Sequence, residues 1–407
     1  MPEVKKDKKA KKAKDKTALY GTDIDLNDYS MDADDHSTIS SLDEISDDYQ
    51  EILPMCGVDP TGEGRSGSFF QLDHSVVFSD TKSKTMELMS TPDAVEKYDW
   101  LKGYTWNAVP VDMDKYTAQT ELNQTNGYFI RVLSGAKEIF PLQACLFIGA
   151  EGIAQNVHNI IIAEEGSELN IITGCSSAHG VKSALHLGVS EFYIKKNAKV
   201  TFTMVHNWGK NMDIRPRTGI IIEEGGTFIS NYICMEPLKS LQLYPSAYLT
   251  GENSRVTFQS ILFASKNTKM DVGSRAFLRG KGSKTEIISR AITKDRGEII
   301  ARGHLVGESS GVKGHLECRG LILSDNSRIH AIPELEAKAQ DLELSHEAAV
   351  GKIAEEEVFY LMSRGLTEDE ATSMIVRGFL NVDISGLPDE LAKETKRMLK
   401  MSMEKVL

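Results

Sequence analysis

Small turn motifs recur at nearly constant spacing through the middle of the chain, and this repeat limits the fold more than any other feature. Neighbouring turn residues are first 31, 28, 28 and 29 positions apart, and then 15, 14 and 15 positions apart, close to half of that period. The turn residues are Gly166, Asn197, Gly225, Asn253, Gly282, Gly297, Gly311 and Asn326. A fixed period of this length is typical of a solenoid, in which each repeat packs on its neighbours.

The segments between these turns are short and alternate apolar with polar residues, as in "KKNAKVTFTM" and "GKGSKTEII". No ten-residue helical pattern interrupts them, so parallel strands are expected to stack coil on coil, about 4.8 Å apart. A coil of roughly 28 residues is too long for the left-handed hexapeptide class. Strand crossovers also favour the right hand. The sequence therefore predicts a mainly β fold, a flattened right-handed parallel β-helix.

The regions that flank the repeat differ from it in composition. Residues 1–16 hold eight lysines and three acids, and residues 22–51 hold eleven acids with no lysine or arginine. Segments with so much charge are expected to bury little, which predicts a disordered or loosely helical tail over residues 1–50. A mixed strand and helix pattern predicts an α/β region over residues 51–125, which leaves residues 126–344 for the β-helix core.

The C-terminal part has a helical period. Ser345 is a favourable N-cap residue, and a helical domain is predicted over residues 345–407. Thr367 and Glu370 have the spacing of a capping box at the start of a second helix, and a third helix is predicted after Pro388. This domain is expected to close one end of the solenoid or to dock a partner.

Composition excludes several classes of function. The net charge of −12 gives no support to nucleic-acid binding, and no apolar run is long enough to cross a membrane. No signal peptide, P-loop, H-E-x-x-H or G-x-S-x-G pattern is present. The cysteines are dispersed without a C-x-x-C pair. This pattern argues against a disulfide framework and favours a protein of the reduced cytoplasm. They are Cys56, Cys145, Cys175, Cys234 and Cys318.

Two sequence features leave alternatives open. Cys318 lies two positions after Leu316 in a predicted strand, so the two side chains point to the same face. This is the position expected of a small core residue. Cys318 also lies 28 positions before His346, so neighbouring coils could bring the two together, and Glu347 would complete a mixed metal site of thiolate, imidazole and carboxylate. The block "HNWGKNMDIRPRTG" fits either a phosphate or flavin contact or a surface turn.

The segment from residue 315 to residue 379, which contains "HLECRGLILSDNSRIHAIPELEAK" and "LELSHEAAVGKIAEEEVFYLMSRG", closely resembles the SufB/SufD family of iron–sulfur cluster assembly scaffolds. "SEFYIKKNAKVTFTMVHNW" and "VGSRAFLRGKGSKTEIISRAI" are similar to the solenoid of that family, and "GSFFQLDHSVVFSD" to its shorter archaeal members. The resemblance covers roughly residues 30–395 and implies a right-handed parallel β-helix between N- and C-terminal helical regions.

The resemblance also implies partners and site residues. In the bacterial complexes one B and one D subunit pair through their β-helices, and each binds the ABC-type ATPase SufC through its C-terminal helices. Cys318 matches the cluster-building cysteine of the B subunit, Glu347 matches its essential carboxylate, and His346 matches the interface histidine of the D subunit. The N-terminal C-x-x-C-x-x-x-C cluster of the B subunit is missing, since only Cys56 occurs in that region.

These implications lead to a hypothesis of a cytoplasmic scaffold without catalytic turnover of its own. The scaffold would carry a transient [4Fe-4S] cluster on Cys318, His346 and Glu347, form a homodimer through its β-helix, bind a SufC-like ATPase and pass the cluster to apo-proteins. Flavin binding, known in some complexes of the family, stays open. The alternatives are a D-like adaptor that docks the ATPase without a cluster, and a carbohydrate-active β-helix enzyme. The enzyme would need paired acids on one outer sheet, and no such pair is found.

Overall fold

Residues 3–380 of a computed structural model are described, and most of them form a parallel β-solenoid of about eight turns. This confirms the predicted mainly β solenoid with helices at both ends. Within residues 3–380 no helix has the length and apolar character needed to cross a bilayer. The strands are β1 Gly67–Leu72, β2 Ser75–Thr81, β3 Met86–Ser90, β4 Tyr128–Val132, β5 Leu142–Ile148, β6 Ala154–Ala163, β7 Glu168–Ser177, β8 Ala184–Ile194, β9 Lys199–Asn207, β10 Met212–Ile214, β11 Arg217–Ile222, β12 Thr227–Cys234, β13 Ser240–Leu243, β14 Ser246–Leu249, β15 Arg255–Ala264, β16 Lys269–Leu278, β17 Lys284–Thr293, β18 Glu298–Gly307, β19 Lys313–Ile322, β20 Arg328–Ala337 and β21 Glu343–Lys352. The helices are α1 Glu3–Ala13, α2 Asp47–Gln50, α3 Thr91–Lys97, α4 Lys115–Leu122, α5 Glu355–Met362 and α6 Glu368–Leu380.

The strands form two sheets. One sheet has the order β2-β1-β5-β7-β9-β12-β15-β17-β19-β21, and the other runs from β3 through β4, β6, β8, β11, β14 and β16 to β18 and β20, with β10 and β13 beside β8 and β16. Each sheet begins with an antiparallel pair, β1 with β2 and β3 with β4, and continues with parallel pairings from coil to coil. The inward side chains of both sheets form one apolar core along the solenoid. The last strands are β21 in one sheet and β20 in the other, so the same coil ends both sheets.

Six of the eight predicted turn residues align in a column along one edge of the solenoid. Gly166, Asn197, Gly225, Asn253, Gly282 and Gly311 all have a left-handed backbone. Each turn is tied to the next coil, since the Asn197 amide donates to the Glu224 carbonyl and the Gly225 amide donates to the Glu252 carbonyl, both at 2.8 Å. Glycine and asparagine tolerate this conformation, which explains why they mark the repeat in the sequence.

Replacing Gly225 with alanine is expected to lower the free energy of unfolding by about 2–3 kcal/mol. The left-handed backbone disfavours a side chain, and a Cβ atom would lie 2.2 Å from Oδ1 of Asn197. Urea denaturation measures the change. Gly103→Ala is the control, because a Cβ atom at Gly103 has no neighbour within 4 Å. Equal stability of both variants would contradict the role of the turn column.

The N-terminal region differs from the predicted disordered tail. Helix α1 buries Ala10 and Ala13 against Val109 and Ala118, while most of its lysines face solvent. The acidic segment that follows buries Tyr29 in another apolar cluster on the solenoid surface. The loosely helical alternative describes α1. The expectation that so charged a segment buries little is wrong, because sparse apolar anchors hold it in place.

The helix predicted to begin at Ser345 is also wrong. Residues 343–352 form β21, which pairs with β19 along its whole length, and α5 begins only at Glu355. The Ser345 hydroxyl lies 2.9 Å from Nδ1 of His315 instead of capping a helix. The predicted capping box is confirmed, since the Thr367 amide donates to the Glu370 carboxylate at 2.8 Å and the Glu370 amide to the Thr367 hydroxyl at 3.3 Å. The helix predicted after Pro388 lies outside the described residues.

Candidate functional site

Cys318 lies in β19 with its side chain in the solenoid interior. Its register neighbours are Ser289 in β17 and Ala348 in β21, and the residue is only 3% exposed. Burial raises the pKa of its thiol to about 11, the Glu317 carboxylate adds to this rise, and Arg290 acts in the opposite direction. Near neutral pH Cys318 is therefore a thiol, and metal binding must displace its proton.

His346 shares the inward face with Cys318 but is not its register neighbour. His346 lies beside Leu316, whereas Cys318 lies beside Ala348, so the repeat here is 30 residues and not 28. Strand spacing and rise place the Cα atoms of Cys318 and His346 about 8 Å apart on a diagonal. The prediction that the two residues lie on neighbouring coils is confirmed. The prediction that they occupy equivalent positions of those coils is wrong, because His346 comes two residues before Ala348, the register neighbour of Cys318.

Glu347 lies on the outer face of the same sheet. It is the register neighbour of Glu317, and its Oε1 lies 3.5 Å from a guanidinium nitrogen of Arg319. Arg319 also pairs with Glu317 at 2.7 Å, and Glu317 pairs with Arg290 at 2.6 Å. Because neighbouring positions of a strand point to opposite faces, Cys318 and Glu347 of one chain do not converge. The network of Arg290, Glu317, Arg319 and Glu347 was not predicted, although these charges alternate with inward residues in the sequence.

Side chains within residues 3–380 form no group of three or more His, Cys, Asp or Glu residues that could hold a metal ion. All five cysteines are free and buried. Burial raises the pKa of the thiols of Cys145, Cys175 and Cys234, the last to about 12. Cys318 differs from them in position, because only one strand separates it from the end of the solenoid.

Arg215 and Arg217, the two arginines of the block "HNWGKNMDIRPRTG", do not lie in a surface turn. Both are buried, and they fasten the N-terminal segment to the solenoid. Arg215 donates to the carbonyl of Thr22 at 3.3 Å, and Arg217 pairs with Asp114 at 2.6 Å. These contacts give both side chains a structural role.

The last coil forms an open end of the solenoid. Leu335 and Val350 continue inward-facing rows of the preceding coil, where their register neighbours are Leu305 and Gly320, yet they are 39% and 41% exposed. Among the described residues β21 pairs only with β19, and β20 only with β18. Core-type side chains and unpaired strand edges thus face outward together, a combination typical of a surface that another chain covers. Cys318 lies one strand below this surface, beside the small side chain of Ala348.

A second apolar surface lies on the C-terminal helices. Phe359, Tyr360, Met362 and Met374 are exposed. Helix α6 nevertheless packs on the solenoid, because Val376 and Leu380 belong to the same buried cluster as Ile292 and Leu321. The helices therefore present an apolar face to solvent while being anchored beside the open end.

The family described as "SUF system FeS cluster assembly, SufBD core domain" matches residues 146–379. An iron-sulfur cluster assembly SufBD family protein of Methanothermobacter thermautotrophicus strain Winter is 58% identical over 402 residues, which cover 98% of each chain. A protein of that description from Archaeoglobus fulgidus is 49% identical over 89% of this chain and 99% of its own. Another from Staphylococcus saprophyticus is 32% identical over 90% of this chain and 81% of its own. The predicted family is confirmed: this chain belongs to the SufBD family of iron–sulfur cluster assembly proteins.

Proposed function

We propose that this chain is a cytoplasmic scaffold on which iron and sulfide are assembled into a transient [4Fe-4S] cluster and passed to apo-proteins. The observation that carries the proposal is the position of Cys318, one strand below the open end and beside a side chain as small as that of Ala348. The open end also presents His346, so the soft thiolate of Cys318 and the borderline imidazole of His346 share one face of the sheet. The free state of all five thiols supports a reducing compartment.

The proposed site is completed by a second copy of the chain. One chain supplies a single cysteine at the open end, whereas a four-iron cluster generally takes four ligands. A two-fold axis would present Cys318, His346 and Glu347 twice around one position. Glu347 lies on the face opposite to Cys318, so a cluster that uses both would lie at the edge of β21, which the second copy would cover. A ligand set with few thiolates suits a cluster that has to be released.

The experiment that tests the proposal is anaerobic reconstitution with iron and sulfide, followed by Mössbauer spectroscopy and analysis of acid-labile sulfide. A [4Fe-4S] signal that transfers to an apo-protein supports the scaffold. A protein that binds the ATPase but holds no cluster under these conditions is the D-like adaptor instead.

Cluster binding is expected to strengthen as pH rises. The pKa of the Cys318 thiol is about 11, so below that value each Cys318 that becomes a ligand releases one proton. The apparent association constant should rise about tenfold per pH unit for each Cys318 bound. Anaerobic competition with a chelator across the mildly alkaline range, corrected for the chelator's own protonation, measures this slope. An association constant that does not rise with pH would contradict thiolate ligation by Cys318.

The C-terminal helices are proposed to dock the ABC-type ATPase, which would supply ATP hydrolysis. Deleting residues 354–407, which leaves all of β21 in place, is expected to abolish the complex seen by size-exclusion chromatography. The double variant Phe359→Ser/Tyr360→Ser should weaken ATPase binding at least about tenfold, since exposed aromatic residues are frequent binding hot spots. Ile139→Ser, which changes an exposed apolar side chain in the loop before β5 and away from these helices, is the control. An intact complex after the deletion would contradict this docking site.

A further inference from the structure

A basic surface on an acidic protein is a feature that iron–sulfur cluster assembly leaves unexplained. Seven of the eight lysines between residues 5 and 16 are exposed, and only Lys6 is buried. We call these seven exposed lysines the basic ridge. The whole chain has a net charge of −12, so the ridge reduces the net charge that keeps the protein soluble. Solubility therefore does not explain the ridge.

The backbone that carries the basic ridge is fixed on the body of the protein. Helix α1 buries Ala10 and Ala13, and its 11 residues span about 16 Å at the rise of an α-helix. Beyond the helix, the Lys115 amide donates to the Lys16 carbonyl at 2.8 Å, and the Lys16 ammonium donates to the Asp112 carbonyl at 2.8 Å. A partner that binds the ridge would therefore not have to order this segment.

Most lysines of the basic ridge lack a carboxylate partner within the described part of the chain. Lys9 pairs with Asp112 at 3.4 Å, and Lys11 pairs with Asp7 at 2.9 Å. Among the described side chains of residues 5–380, no carboxylate pairs with the other five ridge lysines, although residues 22–51 hold eleven acids. These five are Lys5, Lys8, Lys12, Lys14 and Lys16. The ridge thus keeps most of its positive charge.

The first half of the basic ridge is unfavourable for the helix that carries it. Lys5 and Lys8 lie near the N-terminal end of α1, where the helix dipole disfavours positive charge. Lys8 and Lys12 are four positions apart, a spacing at which like charges repel each other on a helix. Because the buried alanines hold α1 on the body, the fold gives no reason for this concentration of charge.

The surroundings of the basic ridge favour an acidic protein segment as its partner. A DNA duplex carries one charge per about 1.7 Å and would extend beyond the ridge into the field of an acidic body. An anionic bilayer is also a wide surface, and α1 has no apolar face left to insert into it, since Ala10 and Ala13 are buried. A short run of Asp and Glu residues on a partner protein can contact the ridge alone, because charges interact over a Debye length of only about 8 Å.

We propose that the basic ridge docks a partner protein through a segment rich in Asp and Glu. Fluorescence anisotropy on the full chain tests this with labelled poly-L-glutamate of about 20 residues as the probe, at about 50 mM and about 300 mM NaCl. The probe is expected to bind at the lower salt concentration and to lose at least about tenfold in affinity at the higher one. A DNA duplex and vesicles of anionic phospholipid should bind more weakly than this probe.

The triple variant Lys5→Gln/Lys8→Gln/Lys12→Gln separates a docking role from a structural role. Probe affinity should fall about tenfold or more at the lower salt concentration, while the Tm stays equal to that of the parent chain or exceeds it, since glutamine is a good helix former without charge.

The matched control is Lys269→Gln/Lys281→Gln/Lys284→Gln, which removes the same charge from exposed positions of the solenoid and should leave the affinity nearly unchanged. The proposal would be overturned by unchanged affinity in the ridge variant, by equal losses in both variants, or by tighter binding of the duplex or the vesicles. Cluster content is not a readout here, so failure of this proposal is distinct from failure of the scaffold function.

Discussion

Cys318→Ala is expected to leave less than about a tenth of the iron and acid-labile sulfide that the parent chain holds after anaerobic reconstitution. Cys318 is the cysteine nearest to the open end, and its loss removes the thiolate from each chain at the proposed interface. The fold should be almost unchanged, because the substitution removes one small buried atom and leaves little cavity. Iron and sulfide analysis gives the first result and circular dichroism the second.

Cys234→Ala is the matched control for this variant. Cys234 is also buried inside the solenoid and has a thiol with a raised pKa, but it lies several coils below the open end. Its replacement should preserve cluster content. Normal iron and sulfide in Cys318→Ala would remove Cys318 from the site, and equal losses in both variants would point to a general effect of core thiols.

The double variant Leu335→Asp/Val350→Asp is expected to convert the proposed homodimer to a monomer and to lower its cluster content about tenfold or more. The two-fold arrangement would place four carboxylates in one apolar interface, where unpaired charges are strongly unfavourable. Within one chain both positions are already 39% and 41% exposed, so the solenoid itself should tolerate the change. Anaerobic analytical ultracentrifugation measures the oligomeric state, and sulfide analysis measures the cluster.

Phe140→Asp is the control for an exposed apolar side chain elsewhere. Phe140 is 57% exposed in the loop before β5, near the other end of the solenoid. This variant should keep both dimer and cluster. A dimer that persists in Leu335→Asp/Val350→Asp would move the interface away from the open end.

The solenoid could be predicted from sequence because its turns demand particular residues. Gly166, Asn197, Gly225 and Gly282 mark left-handed positions that most side chains avoid, so the period is visible without any knowledge of the core. Several strands between them alternate apolar with polar residues, as β16 does, and this alternation indicates the inward face. The capping box at Thr367 was predictable for a similar reason, since it depends on two side chains and their spacing.

The geometry of the candidate site was harder to predict. Ser345 has the local character of an N-cap, but pairing of β21 with β19 outweighs this preference. The step from Cys318 to its neighbour Ala348 takes 30 residues, and this longer coil shifts His346 away from the expected position. Glu347 was predicted beside Cys318, yet strand parity places it on the outer face with Arg319. Sequence therefore predicted which residues to consider, but it did not predict that they diverge within one chain.

The most direct test of a shared cluster is native mass spectrometry of the reconstituted chain under anaerobic conditions, with chain and cluster stoichiometry read from the same ions. The shared site predicts two chains with one [4Fe-4S] cluster and no cluster on the monomer, and it predicts an apo-dimer or apo-monomer for Cys318→Ala. A monomer that carries a complete cluster would contradict the two-fold site.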